Sequence, residues 1–118
     1  MTNTKVLANK IAAAAAGKKA TDILLLNMEG ISPVTDYFMI CSARNTTQVQ
    51  AIADNIEDEL AKENLLAAHK EGYTEGRWIL RDYGDVVAHI FLESERDFYN
   101  LEQLWADAPS ENYTETEE

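Results

Sequence analysis

The stretch "GRWILRDYGDVVAHIF", residues 76–91, predicts a β-hairpin whose two strands are apolar on both faces. A two-residue turn at Gly84 and Asp85 would place Tyr83 opposite Val86. Because opposite residues of an antiparallel pair share a face, this register sorts the hairpin into two faces. The first face carries Arg77, Ile79, Arg81, Tyr83, Val86, Ala88, Ile90 and Leu92, and the second carries Trp78, Leu80, Asp82, Val87, His89 and Phe91.

The second face of the hairpin has two interpretations. Large apolar side chains surround one acid, Asp82, and one histidine, His89, which is the composition of a partner interface with an aromatic anchor. Alternatively, helices cover both faces of the sheet, and the two polar side chains are satisfied at its margin. The hairpin pattern alone favours neither interpretation.

The chain before the hairpin predicts two helices and three strands. Apolar spacing indicates a helix over 3–16, and runs of apolar residues indicate strands over 21–28 and 36–43. Asn45, with Gln48 three residues later, resembles a capping box and opens a second helix. That helix has one apolar face, and residues 65–70 could form a third, short strand. The apolar face consists of Val49, Ile52, Ile56 and Leu60.

After the hairpin, Ser94 with Asp97 predicts the cap of a last helix. Phe98, Leu101, Leu104 and Trp105 would form the apolar stripe of that helix. The predicted order is therefore α-β-β-α-β-β-β-α. We expect an α/β fold: a single domain with one mixed sheet of about five strands flanked by helices.

Length and composition indicate one domain over 1–106 and an acidic, mobile tail over 107–118. There is no run of eighteen apolar residues, so no membrane span is expected. The early apolar stretch is nearly all alanine and does not resemble a signal peptide. The single cysteine, Cys41, fits a reducing setting, and we expect a cytoplasmic protein.

The formal net charge is −11, and the predicted tail holds five acids and no base. Such a chain is repelled by phosphate backbones, so direct nucleic-acid binding is not expected. A basic partner would be attracted instead. The charge could also serve solubility alone, which is the more common reason for an acidic surface.

Candidates for chemistry are weak in this sequence. In the hairpin register Asp82 and Asp85 point to opposite faces, and an aspartate beside a glycine is ordinary in turns. His69 and His89 have no ligand partners at a recognisable spacing, so we expect no metal and no cofactor. Cys41 lies inside a predicted strand and is interpreted as a buried hydrophobic side chain. The residues therefore predict a binding module rather than an enzyme.

Two longer blocks carry a resemblance to a known family. "SPVTDYFMICSARNTTQVQAIADNIEDEL" (32–60) and "GRWILRDYGDVVAHIFLESERDFYNLEQLW" (76–105) closely resemble the ribosomal silencing factor family, also called the Iojap-like family. The resemblance extends from about residue 4 to residue 106. It implies a fold similar to that of nucleotidyltransferases, without enzymatic activity.

The resemblance also implies a function. Family members bind the large ribosomal subunit through ribosomal protein L-fourteen, on the surface that meets the small subunit. Their bulk blocks subunit joining and represses translation when nutrients are scarce, and ribosome assembly is affected as well. Some members look dimeric when free. For this chain the resemblance implies a bacterial, cytoplasmic protein.

The resemblance implies a partner site on the second hairpin face, because Trp78 matches the W of the family's W-x-L-x-D block. Trp78 and Leu80 would supply the apolar anchor, and Asp82 would meet basic side chains of the partner. His89 and Phe91 share the face, and His89 could hold a hydrogen bond within it. One departure is Arg81, which stands where similar proteins usually have an aliphatic residue.

Two rival interpretations remain. A nucleotidyltransferase would need a G-S motif and a D-x-D pair to hold magnesium, whereas the chain has Cys41 and Ser42 without the glycine and has no D-x-D. The other rival is a structural homodimer in which the Trp78 surface is the self-interface.

Overall fold

The computed structural model describes residues 4–33 and 35–113, which form four helices and six strands. No helix in this described part is long and apolar enough to cross a membrane. The predicted α/β fold is confirmed. In chain order the elements are α1 (Thr4–Ala16), β1 (Thr21–Asn27), β2 (Tyr37–Ala43), α2 (Thr46–Ala61), β3 (His69–Glu71), β4 (Trp78–Asp82), β5 (Val86–Leu92), α3 (Glu93–Tyr99), α4 (Leu101–Leu104) and β6 (Ser110–Asn112).

The six strands form one mixed sheet in the order β3-β4-β5-β2-β1-β6. Strands β2 and β5 are parallel, because α2 and the β3–β4 pair lie between them in the chain, and the other neighbours are antiparallel. The mixed sheet was expected from the sequence. It has six strands rather than about five because the C-terminal segment adds β6.

The hairpin register deduced from the sequence is confirmed. Trp78 lies opposite Phe91, Leu80 opposite His89 and Asp82 opposite Val87. The turn is closed by the N–H of Tyr83, which donates to the carbonyl of Val86 at 2.9 Å. Gly84 has a φ of +87°, a conformation that glycine adopts without strain. The two faces of the hairpin are therefore those predicted.

Helices α1 and α2 pack on the first hairpin face and form the main core with it. The predicted cap of α2 is present, since the Asn45 side chain accepts a hydrogen bond from the N–H of Gln48 at 2.8 Å. Its apolar face is fully buried against the sheet, as expected. The buried side chains of α2 are Val49, Ile52, Ala53, Ile56 and Leu60.

The predicted last helix is wrong in two respects. Ser94 lies inside α3, whose N-cap is Leu92 and has no side-chain cap bond. The helix also ends early, because Asn100 adopts the left-handed conformation with φ of 47° and starts α4 by accepting from the N–H of Gln103. Asparagine tolerates this conformation better than most residues. The bend leaves the apolar stripe only partly buried.

Two further boundaries differ from the prediction. The third strand covers only His69–Glu71, whose pairing with β4 begins at His69 opposite Asp82. Just before it, the N–H of Ala68 donates to the carbonyl of Asp82 at 2.8 Å, and residues 65–67 lie outside the strand. At the C-terminal end, Ser110–Asn112 of the predicted tail form β6 on the outer edge of β1. Backbone pairing depends little on side-chain charge, and it covers an edge that would otherwise be open. The rest of the predicted tail, residues 114–118, lies outside the described residues.

Candidate partner-binding face

The second hairpin face lies on the side of the sheet away from α1 and α2, where the short helices α3 and α4 are the only helices of the described residues that reach it. Beneath them lies a small separate core of Leu26, Met28, Ile40, Phe91 and Ala108. The interpretation in which helices cover both faces therefore holds only in part, because the helices that reach this face are too short to cover it. The part left accessible, which we call the Trp78 face, consists of Trp78, Leu80, Asp82, Phe98 and Tyr99.

Trp78 lies at the centre of an aromatic stack. Its ring is stacked on Phe91 with centroids 4.9 Å apart, and Tyr99 of α3 contacts it at 4.6 Å. Phe91 is completely buried and serves as the floor of the stack. Such contacts add to the stabilisation from burial and hold the indole in one place.

His89 fixes the edge of the same indole. The Nε1–H of Trp78 donates to Nδ1 of His89 at 3.1 Å, and Phe38 of β2 meets the imidazole ring edge-on at 4.6 Å. His89 is only 5% exposed. This burial lowers the pKa of His89 to about 4, although the charge of Asp82 acts in the opposite direction. The imidazole is therefore neutral near pH 7 (pKa about 4).

The structure brings all five predicted site residues to one side of the sheet, but at two depths. Trp78, Leu80 and Asp82 are partly exposed. Phe91 and His89 lie beneath, covered by Trp78 and its aromatic neighbours. Phe91 therefore cannot contact a partner in this conformation, and its contribution is to support Trp78.

Local spacing did not reveal that α3 contributes to the face. Phe98 is 79% exposed and Leu104 69% exposed, although both were expected in the apolar stripe of one last helix. The Phe98 ring meets Tyr99 at 5.1 Å, so it continues the aromatic surface that begins at Trp78. The one signal in the sequence was Asn100, a residue type enriched where helices end in the left-handed conformation.

Arg96 anchors α3 to the sheet and so holds Tyr99 against Trp78. Its guanidinium donates to the hydroxyl of Ser42 at 2.9 Å and to the carbonyl of Asp22, and it pairs with Glu102 at 2.9 Å. The hydroxyl of Ser42 is thus already engaged by a cation. Within the described residues, no three His, Cys, Asp or Glu side chains could together hold a metal ion.

Cys41 is buried in β2, as predicted. Burial raises the pKa of its thiol to about 12, against the smaller opposite effect of the nearby Arg96 charge. A thiol with this pKa is protonated near neutral pH and is a poor nucleophile.

An aromatic face left open by short helices, on a chain of net charge −11, is typical of a protein-binding module. The comparisons with known proteins agree with this class. The family model described as "Ribosomal silencing factor during starvation" matches residues 1–118. The chain belongs to the ribosomal silencing factor family.

Individual relatives support the family assignment. The chain is 50% identical over 107 residues to "Ribosomal silencing factor RsfS" of Bacillus subtilis, covering 91% of each chain. It is 29% identical over 91 residues to "Mitochondrial assembly of ribosomal large subunit protein 1" of Mus musculus, covering 75% of this chain and 40% of that one. A crystal structure from Bacillus halodurans is 40% identical with a TM-score of 0.82, covering 94% of this chain and all of that one.

Proposed function

We propose that this chain binds the large ribosomal subunit through ribosomal protein L-fourteen, prevents the small subunit from joining, and so represses translation when nutrients are limiting. Family membership supports a ribosomal role. The observation that carries the proposal is the open Trp78 face, since a monomeric domain rarely leaves so many large apolar side chains uncovered. The murine relative, named for assembly of the large subunit, supports an additional effect on ribosome biogenesis.

In this proposal the Trp78 face has an apolar centre and a charged rim. Trp78 and Leu80 form the apolar anchor, and Phe98 extends it along α3. Asp82 at the rim meets lysine or arginine side chains of the partner. Anchors surrounded by a polar rim are the usual arrangement of interfaces in which a few residues carry the binding free energy.

The acidic charge supports a protein partner rather than exposed rRNA. With 21 acids against 10 lysines and arginines, the chain is attracted to basic ribosomal proteins and repelled by phosphates. The proposal therefore includes neither direct nucleic-acid binding nor catalysis, and no cofactor is needed. It places the protein in the bacterial cytoplasm, where ribosomes are found.

The first test is co-sedimentation with purified large subunits. Trp78→Glu and Phe98→Glu each introduce a charge into the Trp78 face, and we expect each to weaken binding by about 30-fold or more. The matched control is Leu66→Glu, because Leu66 is 77% exposed but lies near β3, outside this face. It should bind as the wild type does.

Phe98→Glu is the more decisive variant, because Phe98 is exposed and its loss should not disturb folding, which circular dichroism checks. Equal binding by the wild type and the folded Phe98→Glu and Trp78→Glu variants would show that the site lies elsewhere. Release of the wild type from large subunits by added free ribosomal protein L-fourteen would identify the partner directly.

A homodimer through the Trp78 face is the alternative. The exposed side chains of this face, Phe98 and Tyr99, could pair with their copies across a two-fold axis. Analytical ultracentrifugation of the free protein tests this alternative. A dimer that persists in Trp78→Glu would argue against self-association through this face.

A further inference from the structure

The hydrogen bond between Trp78 and His89 specifies the state of the histidine. An indole nitrogen can only donate, so Nδ1 of His89 must be the acceptor, and the imidazole proton must lie on Nε2. The donor–acceptor distance is 3.1 Å. Nε2 is buried and has no hydrogen-bond partner among the described residues. The bond to Trp78 is thus the polar contact that orients the buried ring.

The same bond determines which part of Trp78 is available to a partner. Because the indole N–H is occupied by His89, Trp78 presents an apolar ring instead of a donor. Phe91 below and Tyr99 beside the ring restrict its tilt, but they supply no acceptor for its N–H. Among these neighbours His89 is the one that accepts the indole N–H, and the bond thereby favours one rotation of the indole about its side-chain bonds.

We propose that His89 is a positioning residue of the partner site, whose neutral Nδ1 holds the Trp78 indole in the orientation that binds the partner. The inference rests on the proposed function, in which Trp78 is the anchor. A pre-oriented anchor loses less conformational entropy on binding than a freely rotating one, so the bond contributes to affinity without touching the partner.

The environment keeps the imidazole neutral. Phe38 of β2 and Trp78 of β4 contact the ring, and Phe91 of β5 lies alongside it. Asp82 of β4 is the charged group whose field reaches it. Protonation would turn Nδ1 from an acceptor into a donor facing another donor, and burial opposes this change.

Two substitutions separate the hydrogen bond from the packing. His89→Phe keeps an aromatic ring between Phe38 and Phe91 but removes the acceptor. His89→Asn loses the ring but offers its amide oxygen close to the position of Nδ1. If His89 acts by positioning, we expect His89→Phe to weaken binding to large subunits by about tenfold and His89→Asn to weaken it much less.

An NMR signal tests the positioning without the ribosome. The chain has two tryptophans, so a ¹H–¹⁵N spectrum shows two indole N–H signals, with Trp105 as the internal reference. In His89→Phe the Trp78 signal should move and exchange faster with solvent, whereas the Trp105 signal stays in place. In the wild type, the ¹⁵N shifts of His89 should show the proton on Nε2, with exposed His69 as the comparison ring.

Each outcome decides the inference. Unchanged binding in His89→Phe, or an unmoved Trp78 indole signal, would overturn it. A stronger loss in His89→Asn than in His89→Phe would also overturn it, because ring packing would then matter more than the acceptor. If the wild type itself does not bind large subunits, the proposed function fails together with this role, whereas the indole signal still shows whether His89 holds Trp78.

Discussion

Arg81 lies in β4 on the face that packs against α2, with its side chain only 3% exposed. An aliphatic residue is expected there, and the structure shows how the charge is accommodated. Glu57 of α2 forms an ion pair with the guanidinium, Lys70 of β3 pairs with the same carboxylate at 3.1 Å, and the Tyr73 ring lies 5.7 Å away. The buried cation is therefore compensated by one acid that also ties β3 to α2.

Removing the carboxylate of Glu57 should destabilise the fold. Glu57→Gln leaves the Arg81 guanidinium buried without a counter-charge, and we expect the free energy of unfolding to fall by about 2–3 kcal/mol. The value is below that of a fully buried pair because Glu57 is partly solvated. Glu63→Gln is the control, since its ion pair with Lys10 is exposed and should contribute less than about 1 kcal/mol. Urea unfolding measures the free energy of unfolding of both variants. Equal losses in Glu57→Gln and Glu63→Gln would contradict a special role for Glu57.

The same pair predicts a pH dependence. Burial raises the pKa of Glu57, but the hydrogen bonds and charges of Lys70 and Arg81 outweigh it and leave the pKa below its ordinary value. A carboxylate with a lowered folded-state pKa stabilises the fold above its unfolded pKa, and this stabilisation is lost as the pH falls through the folded value. The stability difference between wild type and Glu57→Gln should therefore be smaller near pH 3 than near pH 7. A stability difference between wild type and Glu57→Gln that grows as the pH falls would contradict a lowered pKa of Glu57.

The acidic composition of the C-terminal segment does not suggest the structural role of strand β6. It pairs with β1 through two flanking backbone bonds, from the N–H of Asn27 to the carbonyl of Pro109 at 2.8 Å and from the N–H of Tyr113 to the carbonyl of Ile23 at 2.9 Å. Ala108 is buried against the small core under the Trp78 face. The strand thus closes an edge of the sheet and seals one margin of that core.

A truncation tests this element. A chain ending at Asp107 lacks β6, and we expect its free energy of unfolding to fall on the order of 1–3 kcal/mol from the lost hydrogen bonds and packing. Hydrogen exchange of the Asn27 amide should accelerate, and the open β1 edge should increase self-association. A chain ending at Tyr113 is the control and should behave as the full chain does. Equal protection of Asn27 in both truncated chains would mean that β6 does not form in solution.

At the scale of the whole molecule, charge governs how fast a partner is reached. The net charge is −11, so the proposed basic ribosomal partner would attract the protein before any contact forms. In the same proposal the apolar anchors of the Trp78 face act later, at short range, and determine how long the complex lasts. Different features of the chain would therefore control the association rate and the dissociation rate.

This division predicts a specific salt dependence. Raising the ionic strength from about 50 to about 500 mM should reduce the association rate with large subunits by on the order of tenfold, because screening removes the long-range attraction. The dissociation rate should change little. Surface plasmon resonance on immobilised large subunits measures both rates. A salt effect confined to dissociation would show instead that ion pairs within the interface dominate.

Much of this architecture could be predicted from local patterns. The hairpin register followed from one turn, since a two-residue loop allows only one pairing of its strands. The cap at Asn45 followed from the side-chain oxygen that an exposed helix start requires. In contrast, the break at Asn100 and the pairing of β6 depend on contacts with distant elements. Neither Arg96 binding Ser42 nor an open edge of β1 is visible in local spacing.

The sequence by itself determined the order of the elements from α1 to β5, the hairpin register and the side of the sheet on which the candidate site residues lie. These properties follow from turn geometry and from the two-residue period of a strand. Only the tertiary structure decided which of those residues are accessible. Trp78 is partly exposed and Phe91 is buried because α3 and α4 cover the sheet incompletely. How much of the sheet a helix covers depends on how the helix packs, and the residue pattern of a single strand does not contain that information.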